Sequence, residues 1–129
     1  MTFKLRKDTK RGVLELSYYG VVDRNNLWNA RSELASMVKE TGIKNVVADM
    51  RGVKLNLNSV DEYQFSSSNN KHLPRGTMIA TLISQNDPYT QDHKYMETVS
   101  LVHGFQLKVF WSTREAEQWL FRTYSRIME

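Results

Sequence analysis

The sequence predicts an α/β fold: a five-stranded mixed sheet, largely parallel after an N-terminal hairpin, with about four helices. Three observations predict it. The chain opens with two segments of alternating apolar and polar residues, the signature of half-buried strands. Helical spacing and short apolar runs then alternate to the end, as expected for helices crossing over a parallel sheet. Between them stand glycine, proline and capping residues rather than long linkers. The 129 residues are enough for one domain with a real core, and residues 1–129 read as a single domain.

The elements follow in order. Phe3 and Leu5 alternate with Thr2, Lys4 and Arg6, which predicts an edge strand. The polar stretch from Lys7 to Gly12 predicts a hairpin turn. Leu14, Leu16 and Tyr18 share one face of the second strand, which Gly20 ends. Asp23 is a helix cap, after which Leu27, Ala30, Leu34, Met37 and Val38 recur at helical spacing. Trp28, Arg31, Lys39 and Glu40 fall on its other faces, and Gly42 suits a left-handed C-cap. The strand from Ile43 to Asp49 contains Val46-Val47-Ala48, a run without alternation that predicts cover on both faces.

Ser59-Val60-Asp61-Glu62 matches a capping box and starts the second helix, which Pro74 and Gly76 end. Ser66 to Asn70 are poor helix formers, so this is expected to be the weakest helix. Met78 to Ile83 predicts a strand. Asn86-Asp87-Pro88 reads as a cap with a first-turn proline. The third helix carries Tyr95, Met96, Val99 and Val102 and stops at Gly104. Leu107 to Trp111 is the last strand. Ser112-Thr113-Arg114-Glu115 caps a final helix that buries Ala116, Trp119, Leu120 and Tyr124.

Composition excludes several classes of function. The chain has no cysteine, which removes disulfides, thiolate metal sites and a cysteine nucleophile and fits a reducing, cytoplasmic setting. Charges at Lys4, Arg6, Lys7 and Asp8 interrupt what would be the apolar core of a secretory signal. Apolar runs are only a few residues long, so no membrane span is expected. The net charge is +4, with the basic excess at the two ends: Lys4, Arg6, Lys7, Lys10 and Arg11, then Arg114, Arg122 and Arg126. No basic motif interleaved with aromatics accompanies it, so a nucleic-acid partner is not expected.

Candidate chemistry is sparse. His93 and His103 are ten residues apart on one helix, roughly 80° from eclipsed, and do not make a metal-ligand pair. His93 and Glu97 share a face but fall short of a closed site, and His93 reads as a surface histidine. Ser84, His93 and Asp87 could form a nucleophile–base–acid set, but no glycine-rich nucleophile turn surrounds Ser84. Gly52 and Gly76 are isolated and build no phosphate-cradling loop. No enzyme activity and no cofactor are expected. Parallel sheets bind ligands at the carboxyl ends of their strands. Those ends carry Asp49 and Arg51, then Ser84, Gln85 and Asn86, then Trp111. Asn58 and Ser59, at the start of the second helix, complete the candidate ligand or partner site.

Three passages resemble the STAS-like group, the fold of anti-sigma-factor antagonists, and more closely its SpoIIAA-like branch of short bacterial proteins. They are Tyr19-Gly20-Val21-Val22-Asp23, then Val46 to Val53, then Val109 to Leu120 with its closing Trp119-Leu120. In the signalling members of that group, an Asp-Ser pair at the start of the second helix is phosphorylated to control partner binding. The resemblance puts that pair near Leu57-Asn58-Ser59, where leucine replaces the acid and asparagine the serine. No phosphorylation switch is therefore expected, and Ser59 reads as a helix cap. The resemblance implies a non-enzymatic regulatory module with a protein partner or a second copy of itself. The alternative is a carrier for a small apolar molecule or lipid, because the branch is also likened to lipid-transfer folds. A carrier's cavity would lie between the middle helices and the sheet, lined by Tyr63, Phe65, Tyr95, Met96 and Val99. These side chains are expected mostly to pack together or to form a self-association surface, leaving no lipid-sized chamber.

Overall fold

The chain, a computed structural model describing residues 2–128, forms a mixed sheet with helices on both faces. Strands β1 (Phe3–Asp8), β2 (Val13–Tyr18), β4 (Asn45–Asp49), β6 (Met78–Leu82) and β7 (Gln106–Phe110) lie in that spatial order. β1 runs antiparallel to β2, and every later neighbour is parallel. This is the sheet expected from the sequence. Two three-residue strands, β3 (Val21–Asp23) and β5 (Lys54–Asn56), add a small parallel ladder that no periodicity foretold.

Helix α1 (Arg24–Thr41) starts and stops as its sequence dictates. The Asp23 carboxylate accepts the Asn26 N–H at 2.9 Å, and the Asn26 side chain returns the bond to the Asp23 N–H. Gly42 closes the helix with φ 74°, a conformation open to glycine without steric cost, and its N–H reaches the Val38 carbonyl at 2.8 Å.

The expected second helix is broken. It runs as α2 (Ser59–Ser67) and, after Ser68, as the single turn α3 (Asn69–His72). The Ser68 hydroxyl donates to the Gln64 carbonyl at 2.7 Å, a local bond of the kind that makes serine a poor helix interior. That split gives five helices where about four were expected. The cap also differs from the sequence reading. Asn58 accepts the Asp61 N–H at 2.8 Å and Asp61 answers to the Asn58 N–H, so Ser59 is the first helical residue and not the cap.

Helix α4 (Thr90–Val102) begins later than Asn86-Asp87-Pro88 suggested. Asn86 takes φ 60°, which asparagine tolerates but a helix does not. The Asp87 carboxylate accepts the Tyr89 N–H at 2.8 Å, so the segment is a turn that delays the helix. In α5 (Thr113–Met128), Ser112 Oγ accepts the Glu115 N–H at 3.2 Å, as the capping sequence required.

The two sheet faces carry separate cores. Leu14, Leu16, Tyr18, Val46, Ala48 and Ile79 pack with Leu27, Ala30, Leu34 and Val38 of α1. Val13, Val47, Met78, Ala80, Leu82 and Phe110 pack with Ala116 and Leu120 of α5. Val46 and Val47 thus serve opposite faces, both covered, as their unalternating run predicted. The side chain of Tyr124 lies outside the described residues. Two expected core residues of α4 are instead in solvent: Tyr95 and Val102 are exposed, while His93, Met96 and Ser100 turn inward. His93 is therefore a buried histidine, contrary to the surface reading. Arg31, placed on a polar face of α1 by its charge, is buried too.

Candidate functional site

The eight residues singled out in the sequence do not converge. Asp49 and Arg51 form one unit at the end of β4. Arg51 donates Nε to Asp49 Oδ1 at 3.0 Å and Nη2 to Oδ2 at 2.8 Å. Burial pushes the Asp49 carboxyl up, but the hydrogen bonds and charge of Arg51 outweigh it and hold its pKa below the usual value. The pair opens into a small polar cleft with Arg11, Glu15, Ser17 and Thr113. Arg11 also pairs with Asp8, Glu15 and Glu117, so the charges there are largely spent on each other.

Ser84, Gln85 and Asn86 make the turn that leads into α4, with Gln85 and Asn86 exposed. Trp111 lies at the end of β7, half in solvent, with the Lys94 ammonium 5.3 Å from its ring centroid. Asn58 and Ser59 open α2. Ser84, Asp87 and His93 form no relay: the Asp87 carboxylate serves the Tyr89 N–H, and no hydrogen bond joins Ser84 to His93 among the described residues. Among these residues no group of three or more His, Cys, Asp or Glu could hold a metal ion.

Ser59 belongs instead to a surface the sequence only half revealed. Helices α2 and α4 lie side by side, and a shallow groove between them is lined by Ser59, Val60, Tyr63, Gln64 and Tyr95. Val60 is 59% exposed and Val102 75% exposed. The Tyr63 ring meets His103 edge-on at 5.8 Å, which fixes the end of the groove. On its other side Arg24 reaches from α1, donating to Gln64 Oε1 at 2.6 Å and pairing with Asp61 at 3.5 Å. Helical spacing places Tyr95, Val99 and Val102 on one stripe of α4. The sequence showed that stripe but not its direction.

Beneath the groove is a largely enclosed cavity of about 50 Å³. Phe65 and Met96 line it as expected, whereas Tyr63 and Tyr95 point out to the groove. Its wall is mostly aliphatic, with Arg31, Ser66, Asn69, Thr81, His93 and Tyr18 as polar members. Burial pulls the Arg31 guanidinium down to about 10 and depresses His93, and it raises the Tyr18 hydroxyl. Next to it on α2, Glu62 is buried and its carboxyl is raised to about 8, by burial first and then by the hydrogen bond and charge of Asp92. Tyr18 was on the apolar face of its strand, but no sequence pattern announced Arg31, Glu62 or His93; each was hidden as a polar residue on a helix.

No family model and no curated protein matches the chain. Solved structures share its architecture, two of them over nearly the whole chain. One is an uncharacterized protein of the DUF3478 family with a SpoIIAA-like fold from Shewanella loihica PV-4, with 15% identity, TM-score 0.56, and cover of 92% of this chain and 91% of that one. The other is the anti-sigma factor antagonist SpoIIAA in its unphosphorylated form, with 13% identity, TM-score 0.51, and cover of 98% and 97%. By these likenesses, which run over nearly the whole of each chain, the chain has the SpoIIAA-like α/β fold.

Proposed function

We propose that this protein is a non-enzymatic interaction module that docks a protein partner on the α2–α4 face. One observation carries the reading: two adjoining helices hold Val60, Tyr63 and Tyr95 in solvent around a single groove. Scattered exposed apolar residues are ordinary, but a clustered set that includes two tyrosines is what interface centres are made of. Such a patch is costly to leave in water and gains by being covered. The likeness of fold to an anti-sigma factor antagonist, a regulatory protein, supports the same reading.

The carrier alternative gains no support from the cavity. Pockets that enclose small organic ligands span roughly 300–1,000 Å³. The cavity of about 50 Å³ under α2 and α4 has no room for an acyl chain.

A photo-crosslinking residue at Val60 tests the proposal in the native host. It should yield a discrete protein adduct that a probe at Lys10, on the hairpin, does not. Tyr95→Lys should remove that adduct while leaving the circular dichroism spectrum unchanged. Adducts from Lys10 but not Val60, or an adduct indifferent to Tyr95→Lys, would put the interface elsewhere.

A further inference from the structure

The cavity holds more donor capacity than the chain uses. Arg31 Nη2, Ser66 Oγ and His93 Nε2, all of residues in its wall, have no hydrogen-bond partner among the described residues; the one other such side-chain atom, Glu62 Oε2, belongs to a residue outside the wall. Their residues are 3%, 1% and 2% exposed, so bulk solvent does not satisfy them. Buried polar groups are paired in nearly all native structures, and three orphans around one cavity are an unusual concentration. All three residues line that cavity, and the Tyr18 ring joins them there.

The three orphans in the cavity wall are alike in being able to donate. A guanidinium only donates, while a serine or tyrosine hydroxyl and one nitrogen of a neutral imidazole can each donate. Arg31 spends Nη1 on three neutral oxygens: the Phe65 carbonyl, Ser68 Oγ and Asn69 Oδ1. No carboxylate lines the cavity, and no ion pair forms at Arg31 among the described residues. A buried, charged guanidinium without a counter-charge calls for an anion. One positive charge calls for one negative charge. The remaining wall, which includes Leu27, Leu34 and Met96, suits a short alkyl part.

Size narrows the class. One water needs about 10–15 Å³ of such space. The cavity of about 50 Å³ therefore takes a few heavy atoms and nothing larger. We propose that this cavity is a binding site for a small monocarboxylate of the size of formate or acetate, held by Arg31 with Ser66 and His93. The carboxylate would accept from Nη2 and the serine hydroxyl, and its carbon would face the aliphatic wall. The site lies inside the fold and is independent of the docking face.

Titration of the full-length chain with 13C-acetate, at ionic strength held constant with chloride, tests the proposal. Saturable one-to-one binding is expected, with the His93 ring resonances moving along the same isotherm. Ser66→Ala, which trims one hydroxyl, should weaken binding about fivefold or more. Arg31→Lys loses the paired-donor geometry and should weaken it about tenfold or more. Ser66→Ala keeps the test alive should Arg31→Lys fail to fold. The proposal is overturned by non-saturable acetate binding, by affinities that both variants leave unchanged, or by chloride moving the same resonances as strongly. A crystal structure grown in acetate that shows only water at Arg31 Nη2 would overturn it as well.

Discussion

Arg31 of α1 donates through Nη1 to Asn69 Oδ1 at 3.0 Å, a bond buried between the first helix and the break after the second. The same nitrogen reaches the Phe65 carbonyl, near the end of α2, at 2.8 Å; that carbonyl also accepts from the Ser68 N–H at 3.3 Å and the Ser68 hydroxyl at 3.1 Å. Asn69 continues the line, its Nδ2 donating to Ser100 Oγ of α4 at 3.4 Å. The guanidinium also lies over the Phe65 ring, 4.4 Å from its centroid, and Phe65 packs on Trp28. A polar chain through one arginine thus fastens the segment whose composition offers little helix propensity of its own.

Removing either end should therefore cost more than an ordinary hydrogen bond. Arg31→Leu removes a donor from three acceptors, and Asn69→Ala leaves the charge short of one acceptor. Each is expected to destabilise by on the order of 2–4 kcal/mol. Because they share one bond, the double variant should cost at least about 1 kcal/mol less than the sum. Urea unfolding of the four proteins measures this, and hydrogen exchange should accelerate first between residues 65 and 73. Strict additivity would mean that the two side chains do not interact.

Two buried titratable groups set opposite limits on stability with pH. The native chain holds a proton on Glu62, whose pKa is raised to about 8, by burial first and then by Asp92 and Asp61. The unfolded chain releases that proton above about 4.3. Between these values the native state binds more protons, so stability falls as pH rises through about 8. His93 works the other way. Burial lowers its pKa, against the opposing pull of Asp87 and Asp92. The unfolded chain takes up a proton below about 6.5 that the native histidine refuses, so stability falls as pH drops. Thermal melts should show the two effects offsetting each other just below about pH 6.5, and stability falling from there towards about 8, where Glu62 acts alone. Glu62→Gln should flatten the alkaline side and melt higher than the parent at pH 8, with little change at pH 5. Parallel curves for the two proteins would mean that Glu62 is ionised in the native state.

The sheet was legible because its determinants are local and periodic. Val46-Val47-Ala48 could only be a strand covered twice, and Asp23 and Gly42 punctuate α1 by backbone geometry alone. The site was far less legible. Tyr95 and Val102 have the spacing of a core stripe, and only the position of α2 beside α4 decides that His93, Met96 and Ser100 face inward instead. Arg31 falls off the apolar stripe of α1, and nothing local marks a charged residue there as buried. What buries it is a set of acceptors thirty-four to thirty-eight residues away, a separation no local pattern carries. β3 and β5 were missed for a simpler reason: three residues are too few to show a period.

The start of α2 gives the last prediction, because the resemblance and the structure bear on the same two residues. Ser59 sits at the first helical position, exposed, and its side chain caps nothing; the Asn58 side chain holds the Asp61 N–H at 2.8 Å. The residue before Asn58 is Leu57, so the acid that the resemblance would pair with a phosphorylated serine is missing. Asn58→Ala should therefore cost about 1 kcal/mol, the ordinary worth of an N-cap. Ser59→Ala should stay within about 0.5 kcal/mol of the parent, as expected of an exposed residue without a special bond. Chemical denaturation separates these values. Intact-mass analysis of protein purified from its native host should find Ser59 unmodified. A phosphate there would sit at a helix N-terminus, where negative charge is favoured, and would add charge directly beside Val60 and Tyr63 at the edge of the docking groove. Stoichiometric modification would thus show that asparagine at the expected serine position had displaced the switch by one residue instead of abolishing it.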